Sequence, residues 1–187
     1  PALPARLLVL DDEPRVLVAL KEVLERQGFH VVTATDPLRA IALLRERPFA
    51  AVLSDHMMPA MSGMDFLVEC QRIQPDATRV LITAALSLPT LVDAINRGEI
   101  YRFLAKPWLR EELIATVRNA VSRHELVVQN ARLVSQTSEL NARLAAANRT
   151  LADQVARLEE QRRELDGANA ELGRRFDRSL ELCSRIL

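Results

Sequence analysis

Four charged side chains each follow a short apolar run and could together form an acidic pocket. They are the carboxylates Asp11, Asp12 and Asp55 and the amine Lys106. Apolar runs that end in charge are typical of buried parallel strands, whose carboxyl ends meet at one edge of a sheet. Three carboxylates at such an edge suit a hard divalent cation, Mg²⁺ or alternatively Mn²⁺, because these ions prefer oxygen ligands.

The same residues predict phosphoryl chemistry. A metal-bound Asp55 could attack phosphorus and form an acyl phosphate. Lys106 could neutralise one phosphoryl oxygen, and the hydroxyl of Thr83, at the end of another apolar run, could donate to a second. The Asp11–Asp12 pair also has a simpler interpretation, since acids suit the first turn of a helix. The convergence of all five residues favours the pocket.

Composition excludes several classes of protein. The 187 residues carry 25 basic and 25 acidic side chains, so no overall positive charge attracts nucleic acid. No apolar run approaches 18 residues and no signal peptide is recognisable, which predicts a cytoplasmic protein without membrane spans. Cys70 and Cys183 are expected to be free thiols.

Alternating strand-like and helix-like segments fill the first 108 residues and predict a doubly wound α/β domain. Such a domain has a five-stranded parallel sheet, here with the expected order 2-1-3-4-5, and a crevice at the carboxyl ends of its strands. The predicted strands are 7–10, 31–34, 51–54, 80–83 and 102–104. The predicted helices are 14–27, 37–47, 62–73, 89–97 and a last one that starts after residue 108.

The remainder of the chain predicts a long helix that forms a coiled coil, because all nine prolines fall at or before Pro107. Leucines recur every seven residues in two frames, separated by an eleven-residue step that is typical of a stutter. The first frame is Leu126, Leu133 and Leu140, and the second is Leu144, Leu151, Leu158, Leu165 and Leu172.

With the second set at position d, position a holds Asn148, Val155, Arg162, Asn169 and Phe176. Leucine at d with polar a residues favours a parallel two-stranded coil. A single helix that folds back on the α/β domain is the alternative. We therefore predict an α/β domain over residues 1–122 and a dimeric coiled coil over residues 123–187.

Four strings give the chain a specific resemblance to the receiver domain of bacterial two-component response regulators. They are LLVLDDEP at 7–14, SDHMMPAMSGMD at 54–65, LITA at 81–84 and FLAKPW at 103–108. The resemblance covers about two-thirds of the chain. It implies a regulator that a histidine kinase or phosphotransfer protein phosphorylates in a Mg²⁺-dependent reaction, and not a metabolic enzyme.

The resemblance also assigns roles to individual residues. It implies that Asp11, Asp12 and the backbone carbonyl of Met57 hold the metal with Asp55, the phosphoacceptor. Thr83 and Lys106 would contact the phosphoryl group, and the Lys106–Pro107 peptide would be cis. Phe103 falls at the aromatic switch position, which turns inward when the Thr83 hydroxyl moves to the phosphate; many family members have Tyr there.

The helix leads to an expectation about output. An apolar stripe of Phe176, Leu180, Cys183 and Leu187 predicts a following effector domain, which by weaker analogy is of the HD or HD-GYP type. Two other functions stay open. A haloacid-dehalogenase-type phosphatase would want a second acid two residues after the nucleophile, where Met57 stands. A docking module that dimerises independently of phosphorylation would keep the fold but not the chemistry.

Overall fold

The fold is described from a computed structural model of the chain, which covers residues 4–84, 92, 94–96 and 99–184. Five parallel strands form one sheet in the order β2-β1-β3-β4-β5. They span Arg6–Leu10 (β1), His30–Ala34 (β2), Ala51–Asp55 (β3), Thr78–Thr83 (β4) and Arg102–Ala105 (β5). The predicted α/β class and strand order are confirmed.

Three helices link the first four strands. They are α1 (Pro14–Glu25), α2 (Pro37–Glu46) and α3 (Gly63–Ile73). Proline at the first turn starts α1 and α2, and the Asp36 carboxylate caps α2 by accepting from the Leu38 amide at 3.0 Å. Ser62 caps α3 in the same way through the Asp65 amide at 3.1 Å. The helix predicted over 89–97 falls largely on residues outside the described ranges.

Apolar side chains cover both faces of the sheet, as a parallel sheet requires. On one face, Leu8, Leu10 and Val52 pack with residues of α2 and α3. On the other face, which we call the α1/α4 face, Leu7, Val9 and Leu53 pack with residues of α1 and of the last helix. The central strands β1 and β3 are therefore buried on both sides, and their register fixes where their ends lie.

The last helix, α4, spans Arg110–Ser184. Its early residues Leu113, Val117 and Ala120 are buried against the α1/α4 face. From Gln129 to Arg174, by contrast, every side chain is exposed in the single chain. Among the described residues, no helix combines the length and hydrophobicity needed to span a membrane.

The chain divides into two compact units, Pro1–Arg132 and Leu133–Leu187. The first, which we call the receiver unit, holds the sheet and the start of α4. The second, the helical unit, holds the rest of α4. The predicted terminal stripe from Phe176 onward lies outside the residues whose side chains are described.

Candidate phosphoacceptor site

One ammonium group joins two buried carboxylates at the carboxyl edge of the sheet. Lys106 Nζ lies 2.6 Å from Asp55 Oδ1 and 3.3 Å from Asp11 Oδ2. Asp11 has no exposed surface, and Asp55 is 5% exposed. The sequence predicted this convergence from three separate strand ends, and the structure brings the three residues together.

Backbone hydrogen bonds fix the strand ends that carry these side chains. Asp55 is the last residue of β3, and the next amide, that of His56, donates to the carbonyl of Ile82 in β4 at 2.8 Å. The Lys106 amide donates to the carbonyl of Thr83 at 2.7 Å. The nucleophile, the lysine and the threonine are thus tied to neighbouring strands, so their spacing follows from the register of the sheet.

The remaining oxygens of the two carboxylates accept backbone hydrogen bonds. The Met57 amide donates to Asp55 Oδ2 at 3.1 Å, and the Glu13 amide donates to Asp11 Oδ1 at 2.9 Å. Each acid therefore has one oxygen on a backbone amide and the other on the ammonium. This arrangement orients both carboxylates without any other charged side chain.

Burial and charge oppose one another in this pocket. Desolvation raises the pKa of Asp11 and outweighs the Glu13 amide and the Lys106 charge, which lower it. Desolvation acts to lower the pKa of Lys106, but the hydrogen bond to Asp55 and the charges of both acids outweigh it, so the pKa is raised. The lysine therefore stays a cation, whereas the ionised form of Asp11 is poorly solvated.

The donors present fit a hard divalent cation. Asp11 and Asp55 offer carboxylate oxygens, and the poorly solvated charge of Asp11 would gain from a cation beside it. Asp12 is exposed and lines a cavity of about 460 Å³ with His56 and Met57. Within the described ranges, no three acid, histidine or cysteine side chains converge on one point, so the role of Asp12 stays a prediction.

Thr83 and Phe103 occupy neighbouring strands beside the pocket. Thr83 is the last residue of β4 and is 4% exposed, with Ala105 as its partner in β5. Phe103 is half-buried and packs against the face that α2 and α3 cover. The Lys106–Pro107 peptide is cis, as expected. The switch role of this pair stays a prediction.

Sequence reasoning missed a close approach at Gly63. A Cβ atom at this position would lie 1.9 Å from the carbonyl oxygen of Asp55 and 2.9 Å from the Cα of His56. The Gly63 amide also donates to the His56 carbonyl at 3.0 Å. Only glycine fits, because the start of α3 rests directly on the backbone of the nucleophile. The Ser-Gly pair at 62–63 indicates a helix start but not this contact.

A second missed residue is Trp108, whose ring centroid lies 5.9 Å from Lys106 Nζ. Its ring packs against the α1/α4 face. The Lys-Pro-Trp string places it two residues from Lys106, but no sequence pattern shows on which side of the lysine the ring lies.

The sheet order, the flanking helices and the pocket at the carboxyl edge define a doubly wound fold with a binding crevice at its strand ends. The family description "Response regulator receiver domain" matches residues 7–118 of the chain. The chain therefore belongs to the response-regulator receiver family and contains a receiver domain of two-component signalling.

Known proteins similar to the chain agree with this assignment. The hydrogenase transcriptional regulatory protein HoxA of Cupriavidus necator is 35% identical over 122 residues, which are 65% of this chain and 25% of the relative. An adenylate cyclase structure from Rhodopirellula baltica is 28% identical, with a TM-score of 0.68, covering 71% of this chain and 98% of that one.

The signal receiver domain of an HD domain-containing protein from Pseudomonas fluorescens is 30% identical, with a TM-score of 0.64. That match covers 69% of this chain and 95% of the other. The chain spans about a quarter of the length of HoxA, the full-length relative it matches. The family thus accounts for the receiver unit.

Proposed function

We propose that Asp55 is the phosphoacceptor of a signalling switch and that a histidine kinase or phosphotransfer protein is its donor. A carboxylate oxygen of Asp55 attacks phosphorus, an acyl–phosphate bond forms, and the N–P bond of the donor phosphohistidine breaks. The bonding electron pair leaves with the imidazole, which takes up a proton. The observation that carries this proposal is Lys106 Nζ, 2.6 Å from Asp55 Oδ1, where it can offset the negative charge of the phosphoryl oxygens.

Magnesium is the proposed cofactor, with manganese as an alternative. Asp11, Asp55 and the Met57 carbonyl would hold it, and exposed Asp12 would contribute through a water molecule. When bound, the ion would neutralise phosphoryl charge. The protein's own part is to orient Asp55 through the Met57 amide and to keep Lys106 charged between the two acids.

The proposed response is a change of packing around Thr83 and Phe103. Both residues lie in adjacent strands, and Phe103 is only half-buried, so it has room to reorient. A doubly charged phosphoryl group biases such a two-state element when a nearby hydroxyl moves toward it. Because Phe103 lacks a hydroxyl, packing alone would set its two positions.

The proposed partner of the helical unit is a second copy of the chain. Its heptad leucines, from Leu144 to Leu172, are between 56% and 64% exposed in the single chain. Burying one leucine stabilises an assembly by about 1.5–3 kcal/mol, so five in one seam favour association strongly. A dimeric coiled coil is the simplest arrangement that buries a seam of this width.

Charge favours a parallel pair of helices. With the leucines at d, position e holds Glu159 and Asp166, whereas position g holds Gln154 and Gln161. In a parallel pair, e faces g, so each acid meets a neutral glutamine. In an antiparallel pair, e faces e, and the acids would repel one another. We propose that phosphorylation reaches the effector through this coil, by rotation or a register shift at the stutter.

The effector is proposed to lie C-terminal to the coil. The relative HoxA is about four times as long as the matched segment, and its name describes a transcriptional regulator. The solved receiver from Pseudomonas fluorescens comes from an HD domain-containing protein, which supports an HD-type effector as the first candidate for this chain.

Phosphorylation can be tested with acetyl phosphate and Mg²⁺, followed by intact-protein mass spectrometry. We expect the wild type to gain one phosphoryl group and Asp55→Asn to gain none. Asp76→Asn, which changes an exposed acid between α3 and β4, is the matched control and should be labelled like the wild type. Chelation of the metal should stop labelling. Equal labelling of Asp55→Asn would remove Asp55 from this role, and an unlabelled wild type would favour the docking module.

A further inference from the structure

The Lys106 ammonium has a third neighbour besides the two acids. The centroid of the Trp108 ring lies 5.9 Å from Nζ. A cation within about 6 Å of an indole face is attracted by the ring quadrupole. The lysine is thus attracted by two carboxylates and by an aromatic ring, which is attached to the chain only two residues away.

The ring is held more firmly than the lysine. Trp108 is half-buried and packs against the α1/α4 face, whose members include Leu17 and Leu113. Lys106 has a four-carbon stem with free rotation, and 23% of its side chain is exposed. A firmly packed ring beside a flexible stem restricts the positions that the ammonium can reach.

We infer that Trp108 is a positioning residue for phosphoryl transfer to Asp55, because its ring face keeps the Lys106 ammonium in the acid pocket. This inference rests on the proposed function. A phosphoryl group that arrives at Asp55 takes over the carboxylate oxygen that now contacts the lysine. The ring contact is independent of that oxygen, so it keeps the ammonium at hand while the charge moves onto phosphoryl oxygens.

The first test compares phosphorylation rates with acetyl phosphate and Mg²⁺. Trp108→Leu should react about tenfold more slowly, the size expected for loss of one partly buried cation–π contact. Trp108→Phe keeps an aromatic face and should stay within about threefold of the wild type. Trp108→Met fills more of the volume without a ring, and it replaces the leucine variant if that variant fails to fold.

Tyr101 supplies a matched control. Arg123 lies over its ring with the guanidinium carbon 5.2 Å from the centroid, so the chain contains a second cation–π pair. Tyr101 precedes β5 and Trp108 follows it, so the two rings flank opposite ends of that strand. Tyr101→Leu removes a contact of the same kind and should leave the phosphorylation rate unchanged. Thermal midpoints of all variants separate slower chemistry from loss of structure.

A second readout does not depend on phosphorylation. The chain has only two lysines, Lys21 and Lys106, so one acylating reagent reports on both. Lys21 lies on α1 with its side chain 46% exposed and serves as the internal reference. At constant pH and Mg²⁺, the ratio of Lys106 to Lys21 acylation should rise several-fold in Trp108→Leu. It should stay at the wild-type value in Trp108→Phe and Tyr101→Leu.

The two readouts separate the two ideas. A wild type that acetyl phosphate does not label would overturn the proposed function. A labelled wild type with Trp108→Leu at the wild-type rate and acylation ratio would overturn the role of Trp108 alone. Equal slowing in Trp108→Leu and Trp108→Phe, in proportion to lost thermal stability, would also overturn it, because a purely structural ring gives that result.

Discussion

The receiver unit and the helical unit treat apolar and charged side chains in opposite ways. In the receiver unit, the sheet buries leucine and valine on both faces, and even Asp11 and Asp55 are enclosed. In the helical unit, all described side chains are exposed, including the heptad leucines. A sheet with helices on both faces completes its own core within one chain, whereas a single helix cannot, so only the second unit needs a partner.

The largest effect should come from charge in the leucine seam. Leu158→Asp together with Leu165→Asp should weaken self-association by about a thousandfold, because two buried leucines per chain become desolvated acids. Sedimentation equilibrium measures the association. Leu38→Asp, at a receiver position that is 69% exposed, is the control and should leave it unchanged. A double variant with the wild-type mass would remove the coil from the proposal.

The same glycine-to-alanine change should have opposite signs in the two units. Gly63→Ala should cost the receiver about 3 kcal/mol in unfolding free energy, since the new methyl group meets the Asp55 carbonyl. Gly167→Ala meets nothing within 4 Å on α4 and should stabilise the helix by about 1 kcal/mol. Urea unfolding measures both changes. Equal effects would show that the close approach at Gly63 is not maintained in solution.

A smaller effect concerns the charge buried in the pocket. Without metal, Asp11→Asn should raise the unfolding free energy by roughly 1 kcal/mol, because it removes a carboxylate whose ionised form is poorly solvated. Added Mg²⁺ should stabilise the wild type and not this variant. Asp12→Asn, at the exposed neighbouring position, should leave metal-free stability unchanged. Destabilisation by Asp11→Asn would mean that its ion pair with Lys106 outweighs the burial penalty.

The smallest expected change is in thiol chemistry. Burial raises the pKa of Cys70 to about 12, and the charge of Arg79 only partly offsets this. At pH 8 the thiolate is therefore scarce. In a Cys183→Ser background, a disulfide reagent should leave the folded protein unmodified and react once urea unfolds the receiver unit. Rapid modification of the folded protein would show that α3 opens far more readily than its packing implies.

Hydrophobic runs and the positions of Pro and Gly predicted every described strand, because a parallel sheet buries its strands on both faces. Strand starts were harder to place. β4 begins at Thr78, two residues before the predicted start. Arg79 belongs to the strand although it is charged, because its guanidinium donates to the carbonyls of Pro75, Ala77 and Glu99. Such bonds to the backbone leave no trace in sequence patterns.

The pocket was predictable for the same reason as the sheet, since strand ends must meet. Asp11, Asp55 and Lys106 converge because each follows a buried strand. The contacts of Gly63 and Trp108 were not predictable, since they depend on the path of the loops that follow β3 and β5. Loop path follows from packing between elements, and short sequence patterns do not encode it.

The placement of Trp108 also has an optical consequence. The chain has one tryptophan and one tyrosine, and both belong to the receiver unit, while the helical unit has neither. Indole emission therefore reports on the surroundings of Lys106 and is blind to the heptads. Far-ultraviolet dichroism, in contrast, is dominated by the 75 residues of α4. The two signals can be recorded from one unlabelled sample, so events at the pocket and in the coil can be timed against each other.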